Sequence, residues 1–87
     1  MPAVVHELIP IDMLRVNESA RIAEVHGPQP LVQRLEELGL REGTVIRLVK
    51  TGEPLLLAVN GHRLSFRADS STMIFVEPIS VEQARSS

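Results

Sequence analysis

The histidines are the side chains of this sequence best suited to hold a metal ion, because a neutral imidazole is a common ligand of iron and zinc. There are three, His6, His26 and His62. None belongs to an H-x-H or H-x-x-x-H pair, so only the tertiary fold can bring two of them to one ion. In that case His26 and His62 would bind Fe²⁺ or Zn²⁺ together with Glu24 or Glu77. The alternative, which we favour, is three surface histidines and no resident cofactor.

A serine hydrolase would use His62, Ser65 and Asp69. His62 and Ser65 are three residues apart in a segment that alternates like a strand, where such residues point to opposite faces. They therefore cannot form the nucleophile–base hydrogen bond that this chemistry needs. A glycine-rich phosphate loop is also absent, because neither Gly39 nor Gly43 precedes Lys-Ser/Thr or opens a helix. The sequence predicts a protein that is not an enzyme.

The arginines are the remaining groups suited to binding a ligand, since a guanidinium donates two parallel hydrogen bonds to a carboxylate or phosphate. Arg63 and Arg67 share one face of a predicted strand, and Arg41 and Arg47 flank a predicted turn. A solvated outer surface explains any one of them, but protein interfaces are enriched in arginine. We therefore predict a partner-binding set of Arg41, Arg47, Arg63 and Arg67, with Glu53 from a neighbouring turn.

The composition of the 87-residue chain excludes several functions. With no cysteine, it has no disulfide, cysteine-ligated zinc or thiol chemistry. A formal net charge of −2 disfavours a nucleic-acid binder. Two Phe, no Tyr and no Trp leave no stacking platform for bases and no aromatic groove for proline-rich peptides. Without a signal sequence or an apolar run of about 18 residues, we expect a cytoplasmic protein that does not insert into a membrane.

The elements that position these groups include one short helix. Leu31, Leu35 and Leu38 follow the i, i+4, i+7 spacing of a helix, and we expect them to face the core. Gly39 stands where a left-handed residue caps a helix, and Leu40 is expected to make the hydrophobic contact that accompanies such a cap. A helix of two turns is too short to persist alone, so it must pack on a sheet.

Strand patterns occupy most of the remaining chain. Asn60-Gly61 predicts a type I′ hairpin turn. Ile22 and Val25 can face the core together only across a bulge or twist. Before them, residues 11–14 predict a short strand or turn ending near Asn17, which tolerates a positive φ. The predicted strands are Ser19–Val25, Thr44–Lys50, Leu55–Val59, His62–Arg67 and Met73–Glu77, the last one ended by Pro78.

These strands predict a mainly β fold, a small SH3-like β-barrel of about five strands with one short inserted α-helix, because closure removes exposed strand edges. We expect residues 1–10 to form an N-terminal leader, 11–78 the barrel domain and 79–87 a C-terminal tail. Several strands, such as Leu55–Val59, are apolar on both faces, whereas a barrel has one interior. The surplus of apolar side chains predicts a protein–protein surface. An exposed edge of the sheet would also suit pairing of two copies into a homodimer.

One combination of residues resembles a known family. The pattern R-x-x-x-LGL-x-x-G-T-x-[VI] is met by Arg34, Leu38, Gly39, Leu40, Gly43, Thr44 and Ile46. A second pattern, V-x-G-x-x-L-x-[LF]-R, is met by Val59, Gly61, Leu64, Phe66 and Arg67. Together they are similar to the FeoA family, ferrous iron transport protein A, over residues 11–78.

The resemblance implies an SH3-like barrel with a helical insertion and an accessory role in ferrous iron uptake. It implies as partner the cytoplasmic G domain of the FeoB-type membrane permease. A similar domain is found at the C-terminus of iron-dependent repressors of the DtxR type. Five residues of the two motifs are expected to have a structural role: Leu38, Gly39, Leu40, Gly43 and Gly61. The chain departs from the family at Val16-Asn17, where Pro-Gly is common, and in a shorter turn at Thr51–Pro54.

Overall fold

The computed structural model describes residues 7–68 and 71–79 of the chain. His6, Asp69, most of the predicted leader and the tail beyond Ile79 lie outside the described residues. The elements in chain order are β1 (Ile9–Pro10), a 3₁₀ turn (Ile11–Met13), β2 (Ser19–His26), α1 (Gln29–Glu37), β3 (Val45–Lys50), β4 (Leu55–Val59), β5 (His62–Phe66) and β6 (Met73–Ile79).

The strands form one six-stranded antiparallel sheet in the order β1-β6-β2-β3-β4-β5. The predicted mainly β fold with one inserted helix is confirmed, and β2 to β5 agree with the predicted strands to within one residue at each end. The described residues form six strands rather than five, because Ile9 and Pro10 pair with β6. Within the described residues the two edge strands, β1 and β5, do not pair with each other, so the sheet is open and "barrel" describes it only loosely.

One prediction about the ends of the sheet was wrong and another was confirmed. Residues 11–13 form a 3₁₀ turn, the second of the two predicted alternatives, after which Asn17 takes the expected positive φ of 73°. Pro78 does not end β6, which continues to Ile79 with Pro78 opposite Ala20. The pairing of β1 with β6 stops at Val76, so Pro78 lies where the described β6 has no second neighbour, and its missing N–H removes no bond from the ladder on that side.

The core lies on one face of the sheet and is aliphatic apart from one phenylalanine. The bulge predicted in β2 is present as a register shift between Ile22 and Glu24, which places Ile22 opposite Val76 and Val25 opposite Ile74. The shift brings both β2 residues to the core side. The buried apolar residues are Ile11, Leu14, Ala20, Ile22, Leu35, Leu40, Ile46, Leu48, Leu55, Leu57, Val59, Phe66, Ile74 and Val76.

The helix meets this core through a single buried side chain. Leu35 is 7% exposed, but Leu31 and Leu38 are 38% and 54% exposed, so the predicted three-leucine core stripe was wrong. The reason lies in where the helix ends. Leu38 is already the C-terminal cap, and the chain then turns so that Leu40, 0% exposed, enters the core instead.

The turn after α1 is the predicted left-handed cap. Gly39 has φ 104°, its N–H donates to the carbonyl of Glu36 at 3.0 Å, and the N–H of Leu40 donates to the carbonyl of Leu35 at 2.9 Å. These two bonds are the Schellman pattern, which satisfies carbonyls that the helix end leaves open. The hairpin turn between β4 and β5 is confirmed in the same way by φ 50° at Asn60 and 80° at Gly61, both positive as type I′ requires.

Candidate partner-binding surface

The structure distributes the predicted partner-binding residues over three places. Arg47 and Arg63 lie on the same face of the sheet, in β3 and β5. Arg41 follows the helix cap, and Glu53 and Arg67 lie beyond the ends of strands. All of these side chains are exposed.

Arg47 and Arg63 flank one small residue. In the sheet register Arg47 is opposite Ala58, and Ala58 is opposite Arg63. The neighbours of Arg47 in β3, Ile46 and Leu48, are buried, so Arg47 points away from the core. Two strand spacings separate the backbones of the two arginines, which corresponds to about 10 Å. The methyl group of Ala58 leaves the space between their side chains open.

Arg47 is held in place by Asn17. Its Nη1 donates a hydrogen bond to Oδ1 of Asn17 at 3.1 Å. The backbone of Asn17 is itself fixed, because its N–H donates to the carbonyl of Leu48 at 2.7 Å. The sequence predicted only a turn at this position. The departure from the family's Pro-Gly was the signal that Asn17 adds a side chain where the family commonly has none. We call Asn17, Arg47, Ala58 and Arg63 the arginine face.

The charges on the sheet are segregated. Strands β3, β4 and β5 contain Arg47, Lys50 and Arg63 and no acidic residue. In β2 and β6, by contrast, Nη1 of Arg21 lies 3.4 Å from Oε1 of Glu77 and is neutralised by it. No acidic group among the described residues pairs with Arg47 or Arg63. The arginine face is therefore positive on a chain whose net charge is −2.

The other predicted residues lie at the two ends of the β4–β5 hairpin. Glu53 precedes β4 and Arg67 follows β5, and because these strands are antiparallel the two residues are at the same end. Arg41 is at the other end, since its N–H donates to the carbonyl of Gly39 and Gly39 packs against Asn60 in the hairpin turn. These three side chains border the arginine face without belonging to it.

The structure does not bring His26 and His62 together. His26 ends β2 and lies opposite Met73, whereas His62 begins β5, with β3 and β4 between the two strands. His26 has a different neighbour: its Nε2 lies 2.7 Å from Oε1 of Glu24. Its ring also meets the ring of Phe75 edge to face at 5.6 Å. In residues 7–68 and 71–79 no group of three or more His, Cys, Asp or Glu could hold a metal ion.

The register also separates the two hydrolase candidates that the structure describes. Ser65 pairs with Leu56 and His62 with Val59, three positions apart along β4, on opposite faces of the sheet.

Of the strand residues in the predicted apolar surplus, Val45 is exposed. The large apolar residues exposed among those described are Leu8, Met13, Val16, Leu31, Leu38 and Val45. They lie in the N-terminal segment, on α1 or at its C-terminal cap, and at the start of β3. None of the helices described is both long and apolar enough to span a membrane.

Comparisons with known proteins agree with this geometry. A family model described as the FeoA domain matches residues 9–78. No individual curated protein gives a significant match. Among solved structures, a crystal structure of an iron uptake regulatory protein, FeoA, has a TM-score of 0.75 at 17% identity, covering 84% of this chain and 100% of that one. The solution structure of the FeoA protein from Chlorobium tepidum has a TM-score of 0.75 at 23% identity, covering 83% and 71%.

A third similar structure is the crystal structure of T. acidophilum IdeR, with a TM-score of 0.70 at 19% identity. It covers 87% of this chain, which spans only 37% of the IdeR chain. At these identities the solved structures show the fold alone, and the family model shows the family. The chain therefore belongs to the FeoA domain family, whose members are small accessory domains of ferrous iron transport.

Proposed function

We propose that this protein is a non-enzymatic, cytoplasmic regulator of ferrous iron uptake that binds the G domain of a FeoB-type permease. The observation that carries the proposal is the FeoA domain match over residues 9–78. The similar crystal structure is described as an iron uptake regulatory protein, which supports the same role. A cytoplasmic G domain would meet this protein in the cytoplasm, and the protein itself needs no membrane segment for that contact.

The surface of the sheet supports binding by contact instead of catalysis. The arginine face offers guanidinium donors with no acidic partner on the described surface. Arg41, Glu53 and Arg67 are exposed at its borders and suit the rim of an interface, which is polar and solvent-accessible. His62 and Ser65 face opposite sides of the sheet, which supports a role without nucleophilic catalysis.

The test is a titration of the purified permease G domain with this protein, followed by calorimetry. We expect saturable binding in the presence of either GDP or a non-hydrolysable GTP analogue. GTP hydrolysis should be measured in parallel, because a change in rate would show that binding is regulatory. Absence of heat with both nucleotides, together with an unchanged rate of GTP hydrolysis, would contradict the proposal.

A second candidate function is a transition-metal-binding regulator. The contact of 2.7 Å between His26 and Glu24 favours it, because both groups are ligands of zinc and iron and both are about half exposed. Two protein ligands are fewer than the three or four that such ions take from a protein. His62 is separated from them on the sheet, so a second copy of the chain, in a homodimer, would have to supply further ligands.

A further inference from the structure

We propose that Arg47 and Arg63 form a two-pronged carboxylate-binding site for an acidic segment of a protein partner, with Asn17 as the residue that positions Arg47. The inference rests on the proposed function only for the identity of that partner, the permease G domain. The chemistry of the site is argued from the sheet itself.

The spacing of the two arginines suits two carboxylates on one segment. Their backbones are about 10 Å apart. Asn17 holds Arg47 from the β2 side of β3, and Ala58 is too small to keep Arg63 from leaning toward Arg47. Alternate side chains on one face of an extended segment are about 7 Å apart. Each guanidinium can therefore meet one carboxylate with two parallel hydrogen bonds.

Asn17 lowers the entropic cost of binding at Arg47. An arginine loses considerable rotamer freedom when it is fixed at an interface, and a side chain already held in place loses less. The bond from Nη1 to Asn17 uses one of the five guanidinium N–H donors and leaves the others for a ligand. The backbone of Asn17 is hydrogen-bonded to Leu48, so the residue that supports Arg47 is attached to β3.

The charge distribution favours an acidic protein over the other anionic partners. Strands β3 to β5 carry Arg47, Lys50 and Arg63 with no acid, so a carboxylate meets no like charge there. Nucleic acid is normally bound by a basic stripe on a basic protein, whereas this chain has a net charge of −2. Anionic membranes are normally recognised by clusters of about 4–8 basic residues, more than this face holds.

The first experiment uses defined probes. The ¹⁵N-labelled protein is titrated in an NMR tube with a blocked peptide of alternating alanine and glutamate, and separately with the same peptide carrying glutamine for glutamate. We expect the glutamate peptide alone to shift the backbone signals of Arg47, Ala58 and Arg63. Equal shifts with both peptides, shifts confined to other strands, or stronger binding of inorganic phosphate or of phosphatidylserine vesicles would overturn the proposal.

The second experiment uses the permease G domain and variants matched in charge. The double variant Arg47→Gln/Arg63→Gln loses two charges on the arginine face, and Arg15→Gln/Arg34→Gln loses two exposed charges elsewhere. All four side chains are exposed, so both variants are expected to fold. We expect the first variant to weaken binding about tenfold or more and the second by less than about threefold.

The outcomes distinguish this proposal from the function on which it partly rests. If the wild type binds the G domain and both double variants bind equally well, the carboxylate site is wrong and the proposed function stands. If the wild type does not bind the G domain while the glutamate peptide binds at Arg47 and Arg63, the partner is wrong and the site stands.

Discussion

Asn17 and Arg47 join the turn before β2 to the outer face of β3, through a hydrogen bond of 3.1 Å between Oδ1 and Nη1. Asn17 has a φ of 73°, a conformation that few residues other than glycine and asparagine adopt at low cost. The residue therefore does two things: it makes the turn, and it supplies an acceptor for an arginine 30 positions later in the chain. A glycine at this position would do only the first.

Substitution of Asn17 separates these two roles. We expect Asn17→Ala to lower the free energy of unfolding by about 1–2 kcal/mol, because alanine at positive φ is strained. Asn17→Gly should change stability by no more than about 1 kcal/mol, since glycine accepts this φ. Both variants should weaken binding of the glutamate peptide about two- to threefold, because both lose the support of Arg47. Urea unfolding and the NMR titration measure the two effects, and equal stability of the two variants would contradict the backbone argument.

The cap of α1 gives a second prediction, on Gly39 and Gly43. Both have positive φ, 104° and 91°. A Cβ at Gly39 would lie 3.3 Å from Cγ1 of Val59 and from Nδ2 of Asn60, whereas one at Gly43 would meet nothing within 4 Å. We expect Gly43→Ala to cost about 1–2 kcal/mol from backbone strain alone. Gly39→Ala should cost more in the same urea experiment, because the side chains of Val59 and Asn60 must also shift. A smaller loss of unfolding free energy for Gly39→Ala than for Gly43→Ala would mean that the helix cap does not depend on this close packing.

The parts of the fold that could be predicted from the sequence are those fixed by local chemistry. The cap at Gly39, the Asn60-Gly61 turn and the bulge in β2 each follow from the conformations that neighbouring residues allow. The exposure of Leu38 and the passage of β6 through Pro78 could not be predicted in this way. Each depends on what packs beside the element: the chain turns Leu40 into the core, and the described β1 ends before it reaches Pro78.

The candidate site also combines features that local sequence predicts with features that only the fold shows. Residue types alone indicated that Arg47 and Arg63 suit a carboxylate, but only the register of three strands places both beside Ala58. Arg41 and Arg67 lie outside the strands, so that register does not place them beside Ala58. Asn17 was predicted as a turn, and its role as an acceptor depends on a contact across 30 residues of chain.

The exposure of the helix leucines provides a third prediction. Leu35 is 7% and Leu38 is 54% exposed. We expect Leu35→Ala to lower the free energy of unfolding by about 2–3 kcal/mol, because it leaves a cavity under the helix. Leu38→Ala should cost less than about 1 kcal/mol, since little buried area is lost. Thermal or urea unfolding compares the two variants. A similar large loss of unfolding free energy for both would indicate that Leu38 also packs in the core, as the helical spacing predicted.

The alternative metal site gives a fourth prediction, on the histidines. If the protein binds Zn²⁺ through the surface pair at His26 and Glu24, calorimetry with zinc chloride should show heat that His26→Ala abolishes. His62→Ala should leave that heat unchanged unless a second copy supplies His62, in which case a symmetric dimer would hold two ions, one for each chain, and His62→Ala would also abolish the heat. Binding unaffected by His26→Ala would exclude this pair as the site. Ferrous ion under anaerobic conditions serves as the second probe.

The arginine face also determines how binding should depend on salt. Exposed charges interact over about 10 Å at 0.1 M ionic strength and about 3 Å at 1 M, so an interface led by Arg47 and Arg63 is screened as salt rises. We expect the affinity for the G domain to fall between low and high NaCl, mainly through slower association. For Arg47→Gln/Arg63→Gln the fall should be much shallower, while Arg15→Gln/Arg34→Gln should retain the wild-type slope. Surface plasmon resonance measures the rates. A slope equally reduced in both variants would mean that net charge, and not the placement of two arginines beside Ala58, governs the association.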